Sequence, residues 1–239
     1  MFAKHSPFST HTIIVSDIHL GSSLSRAKEL TKLLKECSFR RLILLGDIFD
    51  DMNLNRLKQD HWDFLSYVRE LSENGRKIEV IWAQGNHDAR VANAIKILGG
   101  IPAYQEYSWH MNGKRYLAIH GDIFDSYLFN DNVFGHAVRN FYRLIEKIDR
   151  GNKSLSRFIG RCHTIWLHIS PRVANGAAHH AKKHGVDYIF CGHTHEAVHH
   201  IYFKDEKRPV HYFNTGCWIQ FPSTYVAVDH DGSVSIKEF

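Results

Sequence analysis

Short β-branched apolar runs alternate, over the first hundred residues, with stretches where apolar positions recur every three or four residues. Thr12-Ile13-Ile14-Val15, Leu42-Ile43-Leu44-Leu45 and Ile78-Glu79-Val80-Ile81-Trp82-Ala83 read as buried strands. Between the first two, Ala27, Leu30, Leu33, Leu34 and Cys37 mark one face of a helix, with Ser22 or Ser23 placed to cap it. Leu57, Phe64, Leu65, Val68 and Leu71 mark a second helix, ended by Asn74-Gly75, and Val91, Ile95 and Leu98 mark a short third one. This β-α-β-α-β order predicts a mainly parallel sheet covered by helices. Strands at 116–119 and 187–191 continue the pattern, and the β-rich tail (210–213, 224–228 and 233–237) is expected to build a second sheet packed on the first. No linker or repeat array interrupts it, so residues 1–239 are expected to form a single domain.

The polar residues that follow these strands carry the chemistry. They are Ser16-Asp17-Ile18-His19, Gly46-Asp47-Ile48-Phe49-Asp50, Gly85-Asn86-His87-Asp88, His120-Gly121-Asp122 and Gly192-His193-Thr194-His195. In parallel sheets, ligands gather beyond the carboxyl ends of the strands. Extended backbone at 16–19 would put Asp17 and His19 on one side of the chain. Gly85 would permit a sharp reversal. Each cluster alone has an ordinary reading as a turn, a cap or an interior histidine. Together, Asp17, His19, Asp47, Asn86, His120, His193 and His195 offer carboxylates, imidazoles and an amide oxygen. That mixture suits a borderline divalent ion such as Mn²⁺, Fe²⁺, Co²⁺ or Zn²⁺. Gly-Asp-Ile-Phe-Asp occurs twice, at 46–50 and 121–125, and reads as two similar turns.

Composition narrows the setting. The 19 histidines are dispersed, unlike a terminal tag, and four cysteines without a Cys-x-x-Cys pair indicate buried thiols and not a disulfide scaffold. No run approaches the ~18 apolar residues of a membrane span, and the first ten residues lack the apolar core of a signal peptide. A cytoplasmic location follows as the expectation. The net charge of +5 favours an anionic partner.

Taken in order, the five clusters resemble the five-motif signature of calcineurin-like binuclear metallophosphoesterases, and the likeness runs from about residue 12 to 216. The resemblance implies a four-layer α/β/β/α sandwich and two divalent cations, Mn²⁺ first, with Fe, Co or Zn as alternatives. It places Asp17, His19, Asp47 and His195 on one cation. Asp47, Asn86, His120 and His193 fall on the other, with Asp47 bridging. Two cations about 3.5–4 Å apart can clamp a phosphoryl group and acidify a shared water, whose hydroxide would attack phosphorus in line. His87 would stabilise phosphoryl charge or protonate the leaving group, oriented by Asp88. Asp122 reads either as a support for a ligand or as a turn cap.

An insert between His120 and His193, approximately 126–182, is expected to form a helical lid. Phe134, Val138, Phe141, Ile145 and Ile148 recur at helical spacing, and from Arg139 to Arg172 eight basic residues stand against Glu146 and Asp149. Solvated basic edges on a packed helical pair would explain this. So would a lid with an apolar lining and a cationic rim, suited to a lipid phosphate or diphosphate at an anionic membrane. Asp125, Arg139 and Arg143, with Asn86, are the candidate substrate contacts. The aromatic residues lack the spacing of a base-stacking platform, which argues against nucleic acid. The Ser-Asp-Ile-His-Leu-Gly start, the insert and Gly216-Cys217-Trp218 are most similar to UDP-2,3-diacylglucosamine pyrophosphohydrolases of lipid A synthesis. That resemblance implies a lipid-linked nucleotide substrate and peripheral contact with the inner membrane. One departure stands out: the best-known branch of that group carries Arg where this chain has His87. A soluble phosphodiesterase or nucleotidase is the alternative enzyme, and a metal-bearing scaffold the non-enzymatic one.

Overall fold

The computed structural model describes residues 8–51, 53–73, 78–87, 100–125 and 169–239. Eleven strands of these residues form two sheets. The first contains β1 (Thr12–Val15), β2 (Arg41–Leu45), β3 (Glu79–Ala83), β4 (Ala103–Tyr104), β10 (Thr224–Val228) and β11 (Val234–Glu238), in the order β11-β10-β1-β2-β3-β4. The second contains β5 (Glu106–Met111), β6 (Lys114–Ile119), β7 (Tyr188–Cys191), β8 (Val198–Tyr202) and β9 (Val210–Asn214), in the order β5-β6-β7-β9-β8. β1, β2, β3 and β4 run parallel, as do β6, β7 and β9.

The two-residue alternation of each strand assigns its side chains to separate layers. From the first sheet, Ile13, Val15, Leu42, Leu44, Val80 and Trp82 face outward. There they meet helices α1 (Ala27–Glu36) and α2 (Gln59–Ser72) through Leu30, Leu33, Leu34, Phe64, Val68 and Leu71. Ile14, Ile43, Leu45 and Ile81 face the other way and pack on Trp109, Tyr116, Phe190 and Phe213 of the second sheet. The outer face of that sheet, with Leu117, Ile119, Ile189 and Tyr212, is covered by helix α3 (Ile169–Lys183) through Ala174, Ala177, Ala178 and Ala181. Four small alanine side chains on one face of α3 fill this layer. The result is the α/β/β/α sandwich, with the parallel strands of both sheets aiming their carboxyl ends at one edge.

Several expectations change here. The tail divides between the sheets: β9 joins the second, while β10 and β11 extend the first, with β10 antiparallel to β1. β1 therefore lies between β2 and β10. Helix α1 takes Arg26, not Ser22 or Ser23, as its N-cap, because the chain still turns beside the strand ends at Ser22, whose N–H donates to His19 O. Of the expected lid, residues 126–168 lie outside the described residues, and 169–182 belong to α3. The expected helix through Val91, Ile95 and Leu98 and the Asn74-Gly75 terminator also lie outside them.

Candidate metal centre

The loops leaving β1 and β2 run side by side, with Asp17 N–H donating to Gly46 O (3.0 Å), His19 N–H to Asp47 O (3.0 Å) and Leu20 N–H to Ile48 O (2.7 Å). The loops after β6 and β7 are joined in the same way by Gly192 N–H to His120 O (3.0 Å). Trp218 N–H, from the loop after β9, reaches across to Asp17 O (3.0 Å). Ser16 Oγ lies 2.5 Å from Thr215 Oγ1. These bonds hold the ends of the two sheets together and fix the backbone beneath the candidate ligands.

That backbone is not extended. Asp17, His19, Asp47, His193 and His195 take φ values of 52°, 49°, 50°, 66° and 58°, in the left-handed region that side-chain-bearing residues seldom occupy. Such local strain concentrates at functional sites, where surrounding bonds hold it in place. Asp17 and His19 do converge, but through two left-handed kinks and not through strand alternation. Gly85 takes no left-handed φ. Its lack of a side chain matters because a Cβ there would overlap Asp47 Oδ1 and the Asp47 backbone N. Likewise a Cβ at Gly192 would overlap Asp17 Oδ2 and Ser16 Oγ.

Two ligand groups result. Asp17, His19 and His195 bring their donor atoms within 4.8 Å of one another, and so do Asp47, His120 and His193. In the first, His195 Nε2 lies 3.1 Å from Asp17 Oδ1 and 3.3 Å from His19 Nε2. In the second, His120 Nε2 lies 3.4 Å from Asp47 Oδ2. One oxygen of each carboxylate is held by a backbone N–H, Asp17 Oδ2 by His193 (3.0 Å) and Asp47 Oδ1 by His87 (2.9 Å). The other oxygen faces the histidines.

Further bonds fix the imidazole tautomers. A carbonyl can only accept, so His120 Nδ1 donates to Leu45 O (2.9 Å), which leaves Nε2 as the nitrogen that could face a cation. His193 Nε2 donates to Asp125 Oδ2 (3.1 Å), which leaves its Nδ1 as the nitrogen that could face a cation. Asp50 Oδ1 stands 3.6 Å from His19 Nδ1, and Arg56 Nη1 (2.5 Å) holds the other oxygen of Asp50. The two Gly-Asp-Ile-Phe-Asp stretches thus end in carboxylates that brace one histidine of each group. Residue-by-residue reading missed these roles, although the repeated pentapeptide was their visible signal. Bracing carboxylates of this kind orient metal-bound histidines and raise their basicity.

The electrostatics agree. Burial alone would raise the Asp47 carboxyl, but His120 and His87 hold it well below its ordinary value. Burial would lower His120, yet Asp47 first and then Asp17 hold it well above. Burial opposes ionisation of Asp17 too, and His195 overcomes it. Asp17 Oδ1 and His120 Nε2, which face into the two groups, are buried with no hydrogen-bond partner. Buried polar atoms are rarely left so, and divalent cations held by these oxygens and nitrogens would satisfy the carboxylate and imidazole donors together. The residues fit the pair of metals.

The remaining candidates lie as follows. His87 is partly exposed, with Nδ1 donating to Asp50 O (2.6 Å) and Nε2 3.9 Å from Asp47 Oδ2. The Asp50 carbonyl thus holds one edge of the ring. Asn86 is exposed in the turn between Gly85 and His87, both of which touch Asp47. Asp125 is 1% exposed beneath His193. Asp122 opens a short 3-10 turn, its carbonyl accepting from Asp125 N–H. Asp88, Arg139 and Arg143 lie outside the described residues.

Residues 10–197 match the family described as calcineurin-like phosphoesterase. No curated protein sequence matches the chain significantly. Similar solved structures include a novel archaeal phosphodiesterase, 14% identical over 95% of this chain and 99% of that one, with a TM-score of 0.47. Vacuolar protein sorting 29 from Cryptosporidium parvum is 11% identical over 95% and 96%, with a TM-score of 0.48. A predicted phosphoesterase from Streptococcus pneumoniae TIGR4 is 15% identical over 96% and 97%, with a TM-score of 0.40.

Proposed function

From the premise that the chain belongs to the calcineurin-like phosphoesterase family, we propose that it is a two-metal hydrolase of phosphoester or diphosphate bonds. The observation that carries this reading is the pair of three-residue ligand groups at one edge of the sandwich. Asp17, His19 and His195 would hold one cation. Asp47, His120 and His193 would hold the other, with Asn86 completing that set and Asp47 shared. When bound, such a pair supplies Lewis-acid polarisation of phosphoryl oxygens and acidification of a water.

The chain's own residues prepare the rest. His120 offers Nε2 and His193 offers Nδ1, because the opposite ring nitrogen of each is already committed. His87, anchored through Nδ1 on Asp50 O, has Nε2 3.9 Å from Asp47 Oδ2, at the edge of the second group. There it can carry a proton to a departing oxygen or stabilise charge on the phosphoryl group. Hydrolysis of bis(p-nitrophenyl) phosphate with added Mn²⁺ tests the reading. His87→Ala should keep its metal content and lose about 10²–10⁴-fold in rate. Wild-type protein inert with Mn²⁺, Fe²⁺, Co²⁺ and Zn²⁺ would leave the scaffold reading in its place.

The finer reading is a lipid-linked nucleoside diphosphate of the UDP-2,3-diacylglucosamine type. Beside the sequence likeness, it is supported by the loop that carries Gly216-Cys217-Trp218. That loop is bonded to Asp17, and it exposes Phe221 (65%) with the Arg26 guanidinium 5.2 Å from the ring centroid. An apolar surface under a cation, three residues along the chain from Trp218, suits an acyl chain that ends in phosphate. His87 is the departure from that branch. Detergent-solubilised UDP-2,3-diacylglucosamine compared with plain nucleotides separates the enzyme readings, since a higher kcat/KM on plain nucleotides would assign a soluble phosphodiesterase or nucleotidase.

A further inference from the structure

At the opposite end of the second sheet, where β6 and β7 begin, a cavity of about 220 Å³ opens to solvent. Lys114, Lys207, Arg208, His211, Tyr188 and Asp187 line it. β6 spans six residues, so this cavity is separated from His120 by ~17 Å of strand. It shares no residue with the ligand groups.

Its charge is one-sided. Lys114, Lys207 and Arg208 make no ion pair among the described residues, whereas nearby Lys182 pairs with Glu206 at 2.6 Å. Asp187 is the one carboxylate of the lining, and its Oδ2 already accepts Arg115 N–H (2.8 Å). Tyr188 stacks on His211 with ring centroids 4.7 Å apart, which makes one wall firm. Burial first, and then the charge on Lys114, hold the His211 imidazole below its ordinary pKa, consistent with a concentration of positive charge. Three like charges in one concavity repel one another unless an anion joins them. A guanidinium fork with two ammonium groups matches a multiply charged tetrahedral oxyanion.

We propose that this cavity is a binding site for a phosphate-bearing anion, separate from the metal centre. Free diphosphate and the phosphate tail of a nucleotide share that chemistry.

Calorimetric titration of the full-length, chelator-treated chain with inorganic diphosphate and with ADP at low ionic strength tests it. Without metals, the site proposed for hydrolysis cannot supply the signal through its cations, so the outcome is independent of that reading. We expect saturable one-to-one binding that weakens with salt. Affinity should fall about tenfold or more in the double variant Lys207→Gln/Arg208→Gln and in Lys114→Gln, with unchanged circular dichroism. It should persist in His195→Ala. Diphosphate binding at least as tightly as ADP identifies the free anion as the ligand, and tighter ADP binding identifies a nucleotide. Absence of saturable binding at low salt would overturn the proposal. So would binding that survives the cavity substitutions and disappears in His195→Ala.

Discussion

Asp17, His19 and His195 form one ligand group and Asp47, His120 and His193 the other, and the two differ in how far water reaches them. Each has a carboxylate with one oxygen tied to a backbone N–H, and each has a histidine braced by the last residue of a Gly-Asp-Ile-Phe-Asp stretch. Each also needs a glycine, at 192 or 85, where a side chain would strike its carboxylate. In the second group the side chains of Asp47, His120 and His193 are 4%, 0% and 6% exposed. In the first, Asp17 and His19 are similarly buried, but His195 is 20% exposed. One scheme of construction thus serves a closed position and an open one. On the proposed reading, the closed group should keep a cation and the open one should exchange it more readily.

The strongest challenge to this picture is Asp47→Ala. If Asp47 serves both groups, the rate should fall about 10³-fold or more, and metal analysis should find less than one cation per chain. A full complement would show that the groups are independent. Next in size, Gly85→Ala and Gly192→Ala should each disrupt the carboxylate they crowd and cost about 1–3 kcal/mol in thermal or denaturant melts. Asp50→Asn and Asp125→Asn then sharpen the contrast. Each should weaken one cation of the two by about 10–100-fold and spare the other, as read by stepwise chelator titration. In wild-type protein the same titration should be biphasic, and a single phase would contradict the difference in depth.

The smallest effect concerns pH. Burial opposes ionisation of Asp50, but His19 and Arg56 pull its carboxyl down to about 2. A lowered carboxylate pKa contributes stability above the unfolded value of ~3.9, and that stability is lost as pH falls toward 2. In metal-free protein, the Tm deficit of Asp50→Asn should therefore be full above pH ~4 and shrink steadily below it.

The candidate ligands were legible because aspartate, asparagine and histidine beside glycine at the ends of β-branched runs are chemically distinctive. Their geometry was not. Left-handed backbone at Asp17, His19, Asp47, His193 and His195 is imposed by bonds between loops from different strands, which local sequence does not encode. Strands β5 and β8 also escaped the hydrophobic pattern. Both are sheet edges, with exposed Glu106 and His110 on one and exposed His199, His200 and Ile201 on the other, and edges need not be apolar. The tail strands were recognised, but not their sheets, because β10 chooses its partner by burial against a strand far away in sequence. Asp50 and Asp125 stood out only as a repeated pentapeptide, whose meaning depends on which histidine each carboxylate meets.

The position of β1 between β2 and β10 also constrains biosynthesis. Thr10 and Val228, hydrogen-bonded across that seam, are 218 positions apart. On the ribosome, β1 gains one neighbour early and must wait for the other until almost all of this sequence has emerged. The N–H groups that steady Asp17, from Trp218 and His193, arrive late as well. The candidate metal centre is therefore complete only in a polypeptide translated beyond residue 228. A product that stalls earlier would display a bare strand edge, the kind of surface that chaperones shield or that pairs with another copy of itself.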